Sequence, residues 1–137
     1  MTSEQSAKTK IGRYQTESLL GKGGMGKVYK ALDPVLNRIL ALKIIQVPAG
    51  QTGADDVGLK QCLHEARLAS QLIHPNIAII YDAGLVQDQF YMAMEFIDGK
   101  GLDAYLKEKE ALSQKQMLEV IFTTCHALDY IHQKGYV

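Results

Sequence analysis

Residues 20–28 read LGKGGMGKV and place four glycines, Gly21, Gly23, Gly24 and Gly26, within six positions. Because glycine has no side chain, the backbone amides of such a run can approach a bound anion closely. The stretch is therefore a candidate loop for the phosphates of a nucleotide. A glycine run alone is a weak signal, since a flexible loop without a ligand has the same composition.

Two common phosphate-binding patterns fit this stretch incompletely. The pattern G-x-x-x-x-G-K-[ST] is met as far as Lys27, but Val28 stands where a hydroxyl group must bind Mg²⁺. The dinucleotide pattern G-x-G-x-x-G needs a long helix and then an acidic ribose ligand about 20 residues further on. Pro34 interrupts any helix, and residues 43–53 contain no Asp or Glu. The flanking residues thus argue against a P-loop NTPase and against a dinucleotide-binding fold.

Lys43 lies inside the run ILALKII at residues 39–45, which is apolar everywhere else and predicts a strand. A single amine in such a strand needs an anionic partner. The alternative is an edge-strand lysine that reaches water along its own aliphatic chain. Since side chains alternate along a strand, Ala41 and Lys43 lie on one face, and that face suits a nucleotide.

The periodicities predict an alternation of strands and helices around these residues. Strands are expected at residues 14–20, 27–32, 39–45, 77–81 and 90–96, and helices at 59–73, 102–109 and 113–134. Ser113 and Gln116 have the spacing of a capping box, and Gly135 is the expected C-cap of the last helix. Glu65 lies on the helix 59–73 beside its apolar stripe, either as a solvated side chain or pointing toward the sheet.

The composition is that of one compact domain of 137 residues. Fifteen basic and fifteen acidic residues balance, which gives no reason to expect a nucleic-acid or membrane partner. Residues 1–10 are polar and are expected to be a disordered lead-in. Cys62 and Cys125 form no metal-ligand pattern with the four histidines and are expected to be reduced thiols. We therefore expect a cytoplasmic protein with no metal site and no membrane segment of its own.

The glycine loop, the strand Ala41-Leu42-Lys43 and the helix with Glu65 follow one another in a specific order. From about residue 11 the chain resembles the N-terminal half of a protein kinase domain, most closely that of the bacterial eukaryotic-like (Hanks-type) serine/threonine kinases. The resemblance implies an α+β fold. A kinase N-lobe with a five-stranded antiparallel sheet and a C-helix would occupy residues 11–96. The hinge and the first two helices of an incomplete C-lobe, helices D and E, would occupy 97–137.

The resemblance also implies ATP as the cofactor. Lys43 would hold the α- and β-phosphates, with Glu65 as its ion-pair partner, and these two are the predicted catalytic residues. The other implied nucleotide-binding residues are Leu20, Gly21, Lys22, Gly23, Gly24, Gly26, Val28, Ala41, Met94, Glu95 and Ile97. Within that set, Leu20, Val28 and Ala41 would cover the adenine, and Met94 would be the gatekeeper. The backbone of Glu95 and Ile97 would hydrogen-bond the adenine edge.

The motifs H-R-D, D-F-G and A-P-E do not occur in the 137 residues. The family's proton acceptor and its Mg²⁺ ligands belong to those motifs, so we expect them outside this chain. The complete kinase would transfer the ATP γ-phosphate to serine or threonine hydroxyls of protein substrates. The alternative is a catalytically inactive nucleotide-binding or protein-interaction fragment from a truncated gene. In either case the helix at 113–134 has a long apolar stripe through which the chain is expected to self-associate.

Overall fold

The computed structural model describes residues 9–24, 26–46, 57–87, 89–108 and 112–136. The chain divides into two compact units. The first comprises Met1–Gln71 and Ile79–Phe96, and the second comprises Leu72–Ala78 and Ile97–Val137.

The described part of the first unit is a six-stranded antiparallel sheet with one helix. The strands are β1 (Lys10–Ile11), β2 (Tyr14–Gly23), β3 (Gly26–Asp33), β4 (Arg38–Gln46), β5 (Ile80–Val86) and β6 (Gln89–Met94), and the helix is α1 (Val57–Ala69). Their order across the sheet is β1-β2-β3-β4-β6-β5. This is the α+β class predicted from the sequence, with one short strand, β1, that the sequence did not predict.

Four element boundaries differ from the predicted ones by three residues or more, and the largest difference is at the end of β5, which lies at Val86 instead of residue 81. Strand β2 continues to Gly23, so that the glycine loop itself takes part in the sheet. Helix α1 ends at Ala69, four residues before the predicted end, and β5 begins at Ile80, three residues after the predicted start. The last two differences lie on either side of Pro75, in the segment that joins α1 to β5. Of the lead-in predicted at 1–10, residues 1–8 lie outside the described residues, as does most of the loop after β4, whereas Lys10 lies in β1 and is therefore not disordered as predicted.

Alternation along the strands gives the sheet two faces with different residues. The face toward α1, termed the helix face, carries Val28, Lys30, Ala41, Lys43, Ile45, Phe90, Met92 and Met94. The opposite face carries Tyr29, Ala31, Leu40, Leu42, Ile44, Tyr91 and Ala93. The pairing of β3 with β4 and of β4 with β6 has no register shift, so each residue of these strands can be assigned to one face.

Helix α1 packs on the helix face through Ala66, which contacts the cluster around Phe90. Both residues are buried, and Cys62 and Leu63 of α1 pack against the same cluster. Apolar side chains at these spacings form one stripe along a helix, which explains why α1 lies on the sheet.

The opposite face is covered by the first described residues of the chain. Ile11 and Tyr14 are buried there, and Tyr14 is only 1% exposed. The Tyr14 hydroxyl donates to Asp82 Oδ2 at 2.7 Å, and the Tyr91 hydroxyl donates to the same oxygen at 3.2 Å. Burial and this carboxylate raise the pKa of Tyr14 well above its ordinary value. The start of β2 is thereby fixed to β5 across the sheet.

The described part of the second unit contains helices α2 (Leu102–Lys107) and α3 (Gln114–Gln133). The predicted capping box is present: Gln116 N donates to Ser113 Oγ at 3.2 Å, and Ser113 N donates to Gln116 Oε1 at 2.9 Å. Gly135, just after α3, has φ of 84°, a conformation that favours glycine. Within this unit the Tyr130 hydroxyl accepts from Ile73 N at 3.1 Å.

No helix in the described ranges is both long enough and apolar enough to span a bilayer.

Candidate nucleotide-binding site

Lys43 lies in the middle of the helix face. It is half-buried on β4, between Val28 of β3 and Met92 of β6. Directly opposite residues in an antiparallel sheet have Cβ atoms about 4.5–5.5 Å apart, so these side chains are neighbours. The amine therefore projects from apolar surroundings on a central strand. This excludes the edge-strand alternative left open by the sequence, because β4 is paired on both sides.

An apolar patch adjoins Lys43 on the same face. Ala41 is 8% exposed and pairs with Met94 of β6 on one side and with Lys30 of β3 on the other. The third residue of this apolar patch, besides Ala41 and Met94, is Val28, which lies two residues before Lys30 on β3. The structure thus brings four of the predicted site residues together on three neighbouring strands. A small residue at Ala41 leaves room for a flat ligand over the sheet.

The glycine loop is the hairpin between β2 and β3, closed by the pair Gly23 and Gly26. Gly26 has φ of 126°, and a Cβ added to it would lie 2.1 Å from the carbonyl oxygen of Ile44. A side chain there is excluded by the protein itself, since real Cβ atoms do not approach a backbone oxygen so closely. Gly26 is therefore required for packing the hairpin onto β4.

The other glycines have a different environment. A Cβ added to Gly21, Gly23 or Gly24 would meet nothing within 4 Å, and none of the three has a positive φ. The described structure gives no packing reason for glycine at these positions. Close approach of a ligand to the backbone would explain why these three positions are glycine.

Leu20 and Lys22 lie on the same hairpin. Leu20 falls at the irregularity in register between Leu19 and Gly21, and it is 47% exposed. Lys22 is exposed as well. Their predicted contacts with a nucleotide stay predictions.

Glu65 is on α1 as predicted, but its side chain is exposed. Its Oε1 accepts a hydrogen bond from Gln61 Nε2 at 3.0 Å, one turn earlier on the helix. Within the ranges that the structure describes, no ion pair within 4.0 Å joins Lys43 to Glu65. The predicted ion pair is therefore not formed in this structure, and the role of Glu65 stays a prediction.

Glu95 directly follows β6 and makes contacts that the sequence did not predict. Its backbone N donates to the Ile79 carbonyl at 2.8 Å, and its side-chain Oε2 accepts from Ile79 N at 3.2 Å. No sequence signal indicates this pairing, because the two residues are brought together only by the register of β5 and β6. Ile97 is also a predicted site residue. It begins the range Ile97–Val137 of the second unit and is 66% exposed.

A cavity of about 370 Å³ lies behind the glycine loop. Its lining includes glycines of the loop and residues of both faces, namely Tyr29 and Ile44 of the opposite face and Ile45 of the helix face. Val28, Ala41, Lys43 and Met94 do not line it. The cavity is therefore distinct from the surface around Lys43.

Protein kinases use Mg²⁺ with ATP, and a protein site for this ion needs carboxylate oxygens close together. In the described ranges no three Asp, Glu, His or Cys side chains come together in a group that could hold a metal. The described residues therefore do not fit a Mg²⁺ site.

The sequence of residues 14–137 matches the protein kinase domain family. The chain is 37% identical over 135 residues to a probable serine/threonine-protein kinase PknB of Bifidobacterium longum, and 36% identical over 126 residues to the serine/threonine-protein kinase PrkC of Bacillus subtilis. Each alignment covers 92% of this chain. The chain belongs to the protein kinase family, within the bacterial Hanks-type serine/threonine kinases.

The fold agrees with this assignment. A crystal structure of the Mycobacterium tuberculosis PknI kinase domain superposes with a TM-score of 0.78 at 29% identity and covers 95% of this chain. The chain spans 19% of the length of the PknB and PrkC relatives and 52% of that kinase domain. Its residues correspond to the N-terminal part of the kinase domain.

Proposed function

We propose that the helix face around Lys43 binds ATP. The observation that carries this proposal is a half-buried amine on a central strand, next to an apolar patch formed by Val28, Ala41 and Met94. An adenine ring needs an apolar surface, and phosphates need a positive charge near backbone amides. Gly21 and Gly23, at which an added Cβ would meet nothing within 4 Å, lie on the hairpin that leads into β3.

In this proposal Lys43 binds phosphate oxygens through charge-assisted hydrogen bonds. Burial among apolar neighbours makes this interaction stronger than it would be in water. Glu65 would orient Lys43 after its carboxylate leaves Gln61, so the bound state needs a small rearrangement of the α1 side chains.

We further propose that the complete kinase transfers the γ-phosphate to serine or threonine hydroxyls of proteins. The family membership supports this proposal, and the substrate class follows from the relatives' names. The 137 residues contain none of the motifs that supply the proton acceptor and the metal ligands. A polypeptide of these residues would therefore bind the nucleotide without transferring phosphate.

The proposed ATP site can be tested by NMR with methyl-labelled protein. Titration with ATP should shift the methyl signals of Val28, Ala41 and Met94, which lie on the helix face. The matched controls are the methyl groups of Ala31 and Ala93, on the opposite face of the same sheet, and these should not move. Shifts confined to the opposite face, or no shifts at millimolar ATP, would refute the proposed site.

Self-association is proposed for the same polypeptide. Leu118, Ile121 and Phe122 of α3 are 61%, 59% and 65% exposed, so a continuous apolar stripe faces solvent. Large exposed apolar patches are uncommon on monomeric proteins and favour association.

A further inference from the structure

The cavity behind the glycine loop has the size and the inner wall of a small-molecule site. Its volume of about 370 Å³ lies within the range of about 300–1,000 Å³ that is usual for such sites. Ile11 and Ile44, which line it, are only 7% and 8% exposed, and Tyr29, which also lines it, is half-buried. The inner wall of the cavity is therefore largely apolar.

Two lysines that also line the cavity lie side by side on the opposite face of the sheet. Lys22 of β2 and Lys27 of β3 are register partners, and Lys27 in turn pairs with Ile44 of β4. Partners in an antiparallel sheet lie on the same face, with Cβ atoms about 4.5–5.5 Å apart. Both lysines are exposed, whereas the apolar wall is buried. Two positive charges thus stand together at the outer side of the cavity.

The described residues do not neutralise this pair of charges. Like charges directly opposite each other destabilise a sheet. No Asp or Glu of the described residues lines the cavity, and within the described ranges no ion pair within 4.0 Å involves Lys22 or Lys27. An anion between the two amines would replace one repulsion by two charge-assisted hydrogen bonds.

We propose that this cavity binds a small anionic amphiphile. Its carboxylate or phosphate headgroup lies between Lys22 and Lys27, and its apolar chain or ring lies against Ile11, Tyr29 and Ile44. The inference is independent of the proposed ATP site, because none of the residues of the apolar patch lines this cavity.

The ligand is a single molecule and not a lipid within a bilayer. Fifteen basic and fifteen acidic residues balance in the chain, so there is no general attraction to an anionic membrane surface. Two neighbouring lysines alone give only a local charge, and a cavity of this kind encloses the apolar part of a free molecule.

Both parts of the ligand are needed for binding. Water screens the charge of an exposed lysine, so the headgroup contributes only modestly. Removal of the apolar part from water contributes the rest. A molecule with the headgroup alone or with the apolar chain alone should therefore bind more weakly than one that has both.

The test is an NMR titration of the methyl-labelled 137-residue chain with octanoate. Octanoate should shift the methyl signals of Ile11 and Ile44 and should leave those of Val28 and Met94, on the helix face, unchanged. Octanol has the same number of carbon atoms without the charge and should bind the cavity about three- to tenfold more weakly. Acetate has the charge without the chain and should cause no shifts in the same concentration range.

The double variant Lys22→Met with Lys27→Met should lower the ratio of octanoate to octanol affinity to about one. The matched control is Lys30→Met, on the helix face of β3, which should keep the wild-type ratio. A loss of structure would weaken both ligands equally, so only loss of the two charges changes the ratio. If the double variant does not fold, salt provides the second measurement, since added salt should lower the ratio in wild type.

Several outcomes would overturn the inference. These are equal binding of octanoate and octanol by wild type, an unchanged ratio in the double variant, and a ratio that does not depend on salt. Shifts confined to Ile121 would place the alkyl chain on the exposed stripe of α3 instead. Binding to phosphatidylglycerol vesicles without binding of free octanoate would mean that the lysines contact a membrane. None of these outcomes bears on the proposed ATP site.

Discussion

Gly26 and Ile44 are in such close contact that a Cβ added to Gly26 would lie 2.1 Å from the Ile44 carbonyl oxygen. The glycine loop is thereby anchored to β4, the strand that carries Lys43. One of the loop glycines is required by the fold, whereas Gly21, Gly23 and Gly24 face open space.

Gly26→Ala should lower the free energy of unfolding by more than about 2 kcal/mol, because it combines an unfavourable φ with a clash against backbone. Gly24→Ala is the matched control and should change it by less than about 0.5 kcal/mol. Urea denaturation of the two variants measures the difference. Equal stability of both variants would show that the hairpin does not pack on β4 as described.

Lys43→Met should weaken ATP binding about tenfold or more, since a charge-assisted hydrogen bond is lost while an apolar side chain of similar length remains. The matched control is Lys27→Met, which removes the same charge from the opposite face of the neighbouring strand. Wild-type affinity is expected in roughly the high-micromolar to millimolar range, about −4 to −6 kcal/mol. Identical NMR titrations of wild type and Lys43→Met would remove Lys43 from the site.

Glu65→Gln should weaken ATP binding less than Lys43→Met does. The substitution removes a charge that lies in solvent and is bonded to Gln61 before the nucleotide binds. The same titration measures it. A loss as large as that of Lys43→Met would mean that Glu65 contacts the nucleotide or its metal directly.

Stability should decrease above about pH 10 because of Tyr14. Burial and the Asp82 carboxylate raise the pKa of Tyr14 in the folded state above its ordinary value of 10.0. The unfolded chain therefore loses this proton first, and the free energy of unfolding falls as pH rises past about 10. Tyr14→Phe should cost about 1 kcal/mol at neutral pH and should show a shallower alkaline decrease.

Denaturation of wild type and Tyr14→Phe at about pH 7, 10 and 11 checks this expectation, since these values lie below, at and above the ordinary tyrosine pKa. Some slope should remain in the variant, because burial and the same carboxylate also raise the pKa of Tyr91. Parallel alkaline slopes in the two proteins would contradict a linkage through Tyr14.

A polypeptide of these 137 residues should bind a hydrophobic dye and show association by light scattering, because the α3 stripe is exposed. The double variant Ile121→Glu with Phe122→Glu should reduce both signals. A monodisperse monomer without dye fluorescence would show that this stripe is covered in solution.

The same polypeptide should transfer no phosphate to a generic protein substrate, since it contains neither H-R-D nor D-F-G. Radiolabel transfer from ATP measures this directly. Incorporation above a blank without protein would contradict the proposal that the chemistry resides outside these residues.

Local patterns in the sequence were sufficient for the fold class, for the five main strands and for the capping box of α3. Alternation along β4 also indicated that Ala41 and Lys43 share a face, and the register of β3, β4 and β6 confirms it. These features depend on residue spacing and on turn chemistry, which act over a few residues. The resemblance to the kinase family, built on the same spacings, is confirmed as well.

Other features were decided only by the tertiary structure. The sequence did not indicate that β1 would join the sheet, that Gly26 would lie against Ile44, or that Glu95 would make two contacts with Ile79. Each of these contacts depends on strand register or on packing between segments, and local residue patterns determine neither. The alternation of side chains along a strand determines on which face of the sheet a residue lies. The residues that it contacts on that face depend on how strands and helices that are distant in the sequence pack together.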